Sequence, residues 1–290
     1  MKNLAQIPKH VVVAIHPKMP EAIKEALIFE NFLKSHGLQT QCGTLDDAEL
    51  RQQVENGKFE LMVAVGGDGT MLRAAHLCSP VDVPILGVNL GRLGFLFQLH
   101  RDNWQEYFNI FLNGDFWIEK RMMLRAELWQ DNKPRENWHA LNEAVVCRGH
   151  LIRPVHISAS VDDRLLATYV ADGLIASTPT GSTAYSLAAG GPILPPELRN
   201  IVLVPIAPHL SVDRAVVLSE GSTVSIQVHS EGDSVLSVDG QTPIELDQND
   251  MVKLRAGDYS THFVRFGDPD YFYRNLTNRM NQNSTTGFPL

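Results

Sequence analysis

The sequence is poor in cysteine, and this shortage limits the kinds of site that it can form. Its 290 residues include three cysteines, Cys42, Cys78 and Cys147. Because they are few, odd in number and far apart along the chain, they predict neither a disulfide framework nor a cysteine-based zinc site. A reducing compartment, the cytoplasm, fits this usage best.

Basic residues and long apolar runs are scarce as well. Lysine and arginine number 25 against 33 aspartates and glutamates, which gives a formal net charge of −8. Nucleic-acid and membrane surfaces need clustered lysine and arginine, so we expect no partner of either kind. Residues 1–10 lack a signal-peptide pattern, and no apolar run reaches the length of a membrane span. These absences favour a cytoplasmic globular protein.

The chain does contain an ordinary globular composition, 44% hydrophobic and 20% charged, and enough length for two domains. Up to about residue 118, apolar strand-length segments alternate with helical segments. This alternation predicts an α/β domain with a Rossmann-like parallel sheet that is covered on both faces. Strands are expected at residues 10–15, 38–42, 61–65 and 83–89, and helices at residues 20–37, 46–55, 71–76 and 104–113.

After residue 120 the pattern changes to short alternating segments that are separated by turns. Such a pattern predicts mostly antiparallel strands packed as a sandwich of two sheets. We therefore place an α/β phosphate-loop domain at residues 1–118 and an all-β sandwich domain at residues 119–268. The sequence leaves open whether the polar tail, residues 269–290, returns to the first domain. Strands are expected at residues 121–130, 141–147, 155–161, 165–170, 223–229, 234–238, 251–255 and 262–266.

The segment around which the chain is organised joins the predicted strand 61–65 to a helix start through Gly66, Gly67, Asp68, Gly69 and Thr70. Glycines let backbone N–H groups approach an anion closely, and a helix N-terminus adds partial positive charge, so the segment predicts a phosphate site. An aspartate would repel phosphate, which favours Asp68 as a base or as an indirect magnesium holder. The alternative is that Asp68 only caps the helix.

Two further polar segments lie where ligands could bind. Residues 89–94 follow the next predicted strand and should face the same crevice as the glycine loop, although a plain turn is the alternative. Asn142 and Glu143 form a polar pair inside a strand pattern. An amide beside a carboxylate can hold ribose hydroxyls, whereas a solvent-facing strand end would explain the pair without a ligand.

Residues 169–192 form the richest polar segment of the chain, in which residues 178–183 supply four hydroxyls ahead of a helix-prone stretch at 184–189. A hydroxyl-rich loop that enters a helix can bind an anionic or sugar-bearing ligand, and Tyr185 could flank an aromatic base. A Ser/Thr-rich turn with a helix cap is the alternative. His209 follows a strand-like run and is left without a role, and the turn 239–241 is a weak signal by itself.

Taken together, these segments resemble the NAD kinase family. Gly66 to Thr70, residues 89–96, the Asn142-Glu143 pair, Asp172 with Gly173, residues 178–185 and residues 239–241 occur in the family's order and at family-like spacing. The likeness extends from about residue 10 to about residue 270. The glycine loop alone also resembles those of diacylglycerol and sphingosine kinases and, more distantly, of phosphofructokinases. The Asn-Glu pair together with residues 178–185 is highly specific.

The resemblance implies an enzyme that uses ATP with Mg²⁺ to phosphorylate the 2′-hydroxyl of the adenosine ribose of NAD, which gives NADP. It implies that Asp68 is the general base and that Gly66, Gly67, Gly69 and Thr70 form the phosphate loop. We also expect a homo-oligomer, a dimer or a tetramer. The residues implied to bind NAD are Asp68, Gly69, Arg73, Asn142, Glu143, Arg153, Asp172, Thr183, Ala184, Tyr185, Ser186, Leu187, Ala188 and Gln241.

The sequence departs from some members of that family. Val170 stands where some members carry a basic residue, which leaves the choice between NAD and NADH open, and residues 212–215 differ near His209. The alternatives are a lipid kinase and a dinucleotide-binding oxidoreductase or NAD sensor. A lipid kinase does not explain Asn142 with Glu143, and no Gly-x-Gly-x-x-Gly pattern is evident at the first strand.

Overall fold

The computed structural model describes residues 7–16, 19–91, 94–151, 153–209, 213–230 and 232–280. The chain forms two compact units. The first contains the chain up to Lys120 together with the chain from Thr261 onward, and the second contains Arg121–Ser260. The chain therefore leaves the first unit once and comes back to it near its end.

The first unit begins as an α/β layered structure. The strands β2, β1, β3 and β4 lie side by side in that order, all parallel, and β5 pairs with the end of β4. The strands are β1 (His10–Ile15), β2 (Gln39–Thr44), β3 (Leu61–Gly66), β4 (Ile85–Asn89) and β5 (Leu99–His100), and the helices are α1 (Pro20–Ser35), α2 (Ala48–Glu55), α3 (Asp68–Cys78) and α4 (Trp104–Leu112).

Helices cover both faces of this sheet, which is why its central strands are apolar throughout. Phe29 of α1 and Trp104 of α4 stack with ring centroids 3.8 Å apart, in one cluster with Val11 and Val63. On the other face, Cys78 Sγ at the end of α3 lies 3.5 Å from Met62 Sδ of β3. The α/β fold class predicted for this part of the chain is confirmed.

The second unit is built from two antiparallel sheets. One has the order β13-β12-β11-β8-β15-β16, and the other contains β10-β9-β14-β17 with β6 beside β17 and β7 beside β6. The elements are β6 (Trp117–Gln130), β7 (Lys133–Ala140), β8 (Glu143–Arg148), β9 (Val155–Val161), β10 (Arg164–Ala171), β11 (Gly173–Ser177), α5 (Tyr185–Ala188), β12 (Asn200–Ile206), β13 (Val216–Ser219), β14 (Val224–Val228), β15 (Ser234–Val238), β16 (Ile244–Leu246) and β17 (Met251–Arg265).

The main apolar core of this unit takes alternate residues from strands of both sheets. In β14, for example, Val224, Ile226 and Val228 are buried and the residues between them are partly exposed. Val146 of β8 and Leu236 of β15 belong to the same core. The predicted all-β sandwich is therefore confirmed.

The sequence pattern was wrong about β17, which is one strand and not two at residues 251–255 and 262–266. The polar stretch between these segments contains Gly257, which looks like an interruption in the sequence. A β-carbon on Gly257 would lie 2.9 Å from the backbone oxygen of Met123, so the glycine permits a close approach to β6 inside a continuous strand.

The chain returns to the first unit through the end of β17 and the helix α6 (Tyr271–Met280). Arg265 Nε lies 2.8 Å from Glu119 Oε2, and the Tyr271 hydroxyl, 2.9 Å from both oxygens of Glu119, shares its one proton between them. All three side chains are buried, and the ion pair is stabilised by these additional hydrogen bonds. Among the described helices, none is long and apolar enough to cross a membrane.

Candidate active site

The glycine loop connects β3 to α3 in the first unit. Gly66 is the last residue of β3, Gly67 is the N-cap of α3, and the oxygen of Gly67 accepts hydrogen bonds from Thr70 N at 2.8 Å and Met71 N at 3.2 Å. Asp68 is thus the first helical residue, and the N-cap position considered for it belongs to Gly67. The helix starts three residues before the predicted position because the chain tolerates Gly69 in the first turn.

The loop is open where a phosphate would approach. A β-carbon added to Gly67 or Gly69 would meet no atom within 4 Å, and Asp68 and Gly69 are exposed. At this end of α3 the first backbone N–H groups have no partner inside the helix and carry partial positive charge. Together, open space and helix polarity make the turn suitable for an anion.

Gly66 and Thr70 give the turn its close packing. A β-carbon on Gly66 would come within 3.0 Å of the Thr70 β-carbon. The Thr70 side chain is buried, and within the described part of the chain its Oγ1 has no hydrogen-bond partner. A buried hydroxyl without a partner is costly, so its presence beside the glycine turn favours a polar ligand there.

The loop after β4 lies next to the glycine turn, as the sequence predicted. Leu90 N donates to Gly66 O at 3.1 Å, and the buried Asn89 side chain accepts from Gly91 N at 2.9 Å. Gly94 lies against Asp68, since a β-carbon on Gly94 would be 2.6 Å from Asp68 Cγ. Residues 92 and 93 of this loop lie outside the described residues.

Arg73 lies farther along α3. Its Nη1 is 3.0 Å from Asp46 Oδ1, and both side chains are exposed. A helix turns about 100° per residue, so a position five residues later lies about 140° around the axis from Asp68. The structure gives Arg73 a carboxylate partner, and its contact with phosphate stays a prediction.

In the second unit, Asp239 organises the start of β8. Its Oδ2 accepts a hydrogen bond from Leu141 N at 2.7 Å, and its Oδ1 accepts from Asn142 N at 2.9 Å and Glu143 N at 3.0 Å. Glu143 is the first residue of the strand and Asn142 precedes it. Asp239 therefore holds Asn142 and Glu143 through their backbone N–H groups, so their side chains are not needed for these hydrogen bonds.

Glu143 has an unusual environment. It is 8% exposed, the Tyr185 backbone at the start of α5 lies beside its carboxyl group, and Oε2 has no hydrogen-bond partner among the described residues. Burial, with a further contribution from the charge of Asp239, raises the pKa of Glu143 to about 8. A carboxyl group that is protonated near neutral pH can donate a hydrogen bond as well as accept one.

The hydroxyl-rich run 178–183 is bound mainly to its own surroundings. Thr178 N donates to Asn142 O at 2.8 Å, Ser182 Oγ accepts from Leu194 N at 2.9 Å, and Arg121 Nη1 donates to Thr180 Oγ1 at 3.1 Å. These bonds support the alternative of a structural turn for residues 178–182. Through the hydrogen bond from Thr178 N, the turn holds the backbone carbonyl of Asn142 in place.

Tyr185 marks where this run meets the rest of the predicted NAD site. The tyrosine is 46% exposed, and burial together with the negative charges of Asp172 and Glu143 raises its pKa. Arg148 Nε lies 3.1 Å from Asp172 Oδ1. The second unit thus brings Glu143, Asp172 and Tyr185 together, with Arg148 as a neighbour that the sequence pattern had not indicated.

The remaining predicted residues are mostly accessible. Leu187 and Ala188 of α5 are exposed, as are Arg153 and Gln241, whereas Thr183 and Ala184 are half-buried. Ser186 is fully buried, and its Oγ has no hydrogen-bond partner within the described ranges. His209 is exposed, and its backbone N–H donates to Val170 O at 2.7 Å.

Comparison with known proteins supports the resemblance to the NAD kinase family. The family model for the ATP-NAD kinase N-terminal domain matches residues 10–116, and the model for the ATP-NAD kinase C-terminal domain matches residues 141–266. The chain belongs to the ATP-NAD kinase family. The predicted family and the expectation of a phosphotransferase of the NAD kinase type are therefore confirmed.

Proteins of this family from several bacteria are similar over nearly the whole chain. An NAD kinase of Chloroflexus aurantiacus is 39% identical over 273 residues, which cover 94% of this chain and 98% of that protein. An NAD kinase of Dehalococcoides mccartyi is 36% identical over 278 residues, covering 95% of this chain and 97% of that protein.

Solved structures of an NADH kinase and an NAD kinase share the fold. Yeast NADH kinase complexed with NADH gives a TM-score of 0.84 at 24% identity, covering 98% of this chain and 91% of that one. An NAD kinase from Archaeoglobus fulgidus in complex with ATP gives 0.73 at 24% identity, covering 92% and 97%.

Proposed function

We propose that this enzyme transfers the γ-phosphoryl group of ATP to the 2′-hydroxyl of the adenosine ribose of NAD, giving NADP, with Asp68 as the general base. The observation that carries the proposal is the exposed carboxylate of Asp68 in the first turn of α3, between Gly67 and Gly69. A ribose hydroxyl is a weak nucleophile near neutral pH, and a carboxylate within hydrogen-bond reach can accept its proton as the new bond forms.

ATP as donor is supported by the family and by the Archaeoglobus fulgidus NAD kinase, whose crystal structure is a complex with ATP. The N–H groups at the start of α3 and the hydroxyl of Thr70 are suited to phosphate oxygens. Phosphoryl transfer depends mainly on positioning and on neutralising charge. Arg73 would add positive charge along the same helix if a phosphate displaced Asp46 from it.

Mg²⁺ would arrive with the nucleotide. This ion commonly binds phosphates together with one or two carboxylates, and the exposed carboxylate of Asp68 fits that need. When bound, it would neutralise the charge on the phosphates. No group of three or more His, Cys, Asp or Glu side chains in the described ranges is placed to hold a metal ion.

We assign the adenosine ribose to Asn142 and Glu143. The Asn142 amide is half-buried, and the unpartnered Oε2 of Glu143 is a buried polar atom that a ribose hydroxyl could satisfy. Tyr185 and residues 183–188 would surround the adenylate part, where the unpartnered Oγ of Ser186 offers one more polar contact. Asp172 would bind the far part of NAD, with Arg153 and Gln241 as additional contacts.

We further propose a homo-oligomer, a dimer or a tetramer, in a reducing cytoplasm. The compartment follows from the low number of cysteines, all three of which are free in the structure. NAD and ATP are the partners in this proposal.

The proposal is tested by incubating the enzyme with NAD, ATP and Mg²⁺ and detecting NADP with an NADP-specific dehydrogenase. Asp68→Asn should retain the fold and lower turnover by roughly two to four orders of magnitude, the range for loss of a general base. Asp102→Asn, an exposed aspartate of the first unit, serves as the control. Near-normal turnover of Asp68→Asn at saturating substrates would remove Asp68 from the mechanism.

A further inference from the structure

Two aspartates stand at the ends of β15 and bind the backbone at the two ends of its neighbour β8. Asp233 and Asp239 both have left-handed backbone conformations, with φ of 57° and 48°. β15 pairs with β8 in antiparallel register from Ser234↔Arg148 to Val238↔Ala144. Each aspartate therefore lies next to one loop that enters or leaves β8.

The carboxylate of Asp239 satisfies three consecutive donors, the N–H groups of Leu141, Asn142 and Glu143 at 2.7–3.0 Å. Its own N–H donates to Glu143 O at 2.9 Å. Hydrogen bonds to an ionised acceptor are stronger than neutral ones, and a carboxylate accepts at both oxygens. An amide in its place would turn one of these acceptors into a donor.

The charge of Asp239 also acts on the Glu143 carboxyl. Glu143 is faced by Asp239 from the turn after β15 and by Tyr185 from α5, and the charged or titratable groups around Tyr185 are Cys147, Arg148 and Asp172. Burial is the larger cause of the raised pKa of Glu143, and the charge of Asp239 raises it further.

We propose that Asp239 is a positioning residue for NAD: its carboxylate fixes the backbone of Asn142 and Glu143, and its negative charge acts on the neighbouring Glu143 carboxyl. This inference rests on the proposed function, in which Asn142 and Glu143 hold the ribose. Asp239 needs no contact with NAD to act in this way. The mechanism predicts an effect on NAD binding and on its pH dependence, with little effect on the phosphoryl-transfer step.

The test measures the kinetics of Asp239→Asn at saturating ATP and Mg²⁺, with NAD varied between pH 6 and 9. The KM for NAD should rise about tenfold or more, as expected when hydrogen bonds to a charged group are lost. The kcat should change by less than about threefold, the pattern for loss of binding that is equal in ground and transition states. The pH profile of kcat/KM reports pKa values of the free enzyme, so for the wild type we expect a midpoint near pH 8 from Glu143. In Asp239→Asn this midpoint should move to lower pH, because the negative charge beside Glu143 is lost.

Asp233→Asn is the matched control, because the Asp233 carboxylate likewise accepts from two consecutive N–H groups, those of His150 and Leu151. Asp233→Asn weakens carboxylate-to-backbone hydrogen bonds of the same kind at the far end of β8. It should leave the pH midpoint of kcat/KM where it is in the wild type. Glu143→Gln should abolish that midpoint. An unmoved midpoint in Asp239→Asn, or a loss confined to kcat, would overturn the inference.

If circular dichroism shows that Asp239→Asn is unfolded, Asp239→Glu replaces it. The glutamate retains the charge, but its longer side chain moves the carboxylate away from the N–H groups of residues 141–143. It should therefore raise the KM for NAD and leave the pH midpoint of kcat/KM unmoved. An unchanged KM would overturn the inference. Failure of the proposed function is distinct, since the wild type itself would then form no NADP.

Discussion

Gly94 lies directly against the carboxylate of Asp68: a β-carbon on Gly94 would be 2.6 Å from Asp68 Cγ and 2.8 Å from its Oδ2. The atoms in the way all belong to the Asp68 side chain and none to the backbone, so Gly94→Ala should displace the carboxylate more than the backbone. A displacement of about 1 Å at a reacting group can lower the rate roughly 100-fold. We expect such a fall in kcat, measured at saturating NAD and ATP.

The control is Gly91→Ala in the same loop, where the nearest atom to an added β-carbon is Asn89 Oδ1 at 3.8 Å. Both variants should change the free energy of unfolding by less than about 1 kcal/mol, measured in urea. Equal kcat values for the two variants would show that the position of the Asp68 carboxylate does not limit turnover.

The buried carboxyl of Glu143 should make stability depend on pH. Its pKa is raised from 4.5 to about 8, so between these values the folded state binds more protons than the unfolded state. The contribution of Glu143 is therefore fully present below about pH 4.5 and is lost as the pH rises through 8. Glutamine at this position does not titrate.

Urea unfolding of wild type and Glu143→Gln at pH 5, 6, 7 and 8 measures this effect. The variant should gain on the wild type as the pH rises, by at most about 1.4 kcal/mol per pH unit. Other titrating groups cancel in the difference between the two proteins. A difference that stays constant from pH 5 to pH 8 would show that Glu143 is ionised throughout that range in the folded protein.

Asn142→Ala should weaken NAD binding without disturbing the fold. The backbone N–H and C=O of Asn142 hold Asp239 and Thr178, and both bonds survive truncation of the side chain. Loss of the amide should reduce NAD affinity by about 1–3 kcal/mol. Titration calorimetry with NAD measures this loss, with Asn137→Ala on the exposed strand β7 as the control. Unchanged affinity would place the ribose elsewhere.

The buried network around Glu119 should stabilise the first unit without affecting catalysis. Tyr271→Phe removes the hydroxyl whose single proton is shared between the two oxygens of that carboxylate, and it should lower the free energy of unfolding by about 1–3 kcal/mol. The control is Tyr273→Phe, at a side chain of the same helix that is 50% exposed. Identical unfolding curves for the two variants would mean that the network does not anchor α6.

Much of the fold could be predicted because burial leaves a local mark on the sequence. Strands covered on both faces, such as His10–Ile15 and Leu61–Gly66, are continuous apolar runs. Lys133–Ala140 was not predicted as a strand because most of its residues are exposed and polar, and its pairing with β6 leaves no such mark. Residues 251–255 and 262–266 were predicted as two strands, because the close approach of Gly257 to β6 inside one continuous strand depends on residues far away in the sequence.

The glycine turn was predictable because all its parts are consecutive in sequence. The hydrogen bonds from residues 141–143 to the Asp239 carboxylate could not be predicted, because these residues are 96–98 positions away along the chain. The same distance in sequence hid the effect of Asp239 on Glu143. For residues 178–182, the hydroxyl count predicted ligand contacts, whereas the structure uses most of these hydroxyls in hydrogen bonds within the protein.

The most direct test of the central claim is to replace NAD with 2′-deoxy-NAD. The analogue lacks only the hydroxyl from which Asp68 is proposed to accept a proton, so it should still bind, about 1–2 kcal/mol more weakly than NAD. It should inhibit competitively against NAD and never be phosphorylated when ATP and Mg²⁺ are present. Mass spectrometry that detects phosphorylated 2′-deoxy-NAD would contradict the account, because the acceptor hydroxyl would then lie elsewhere on the dinucleotide.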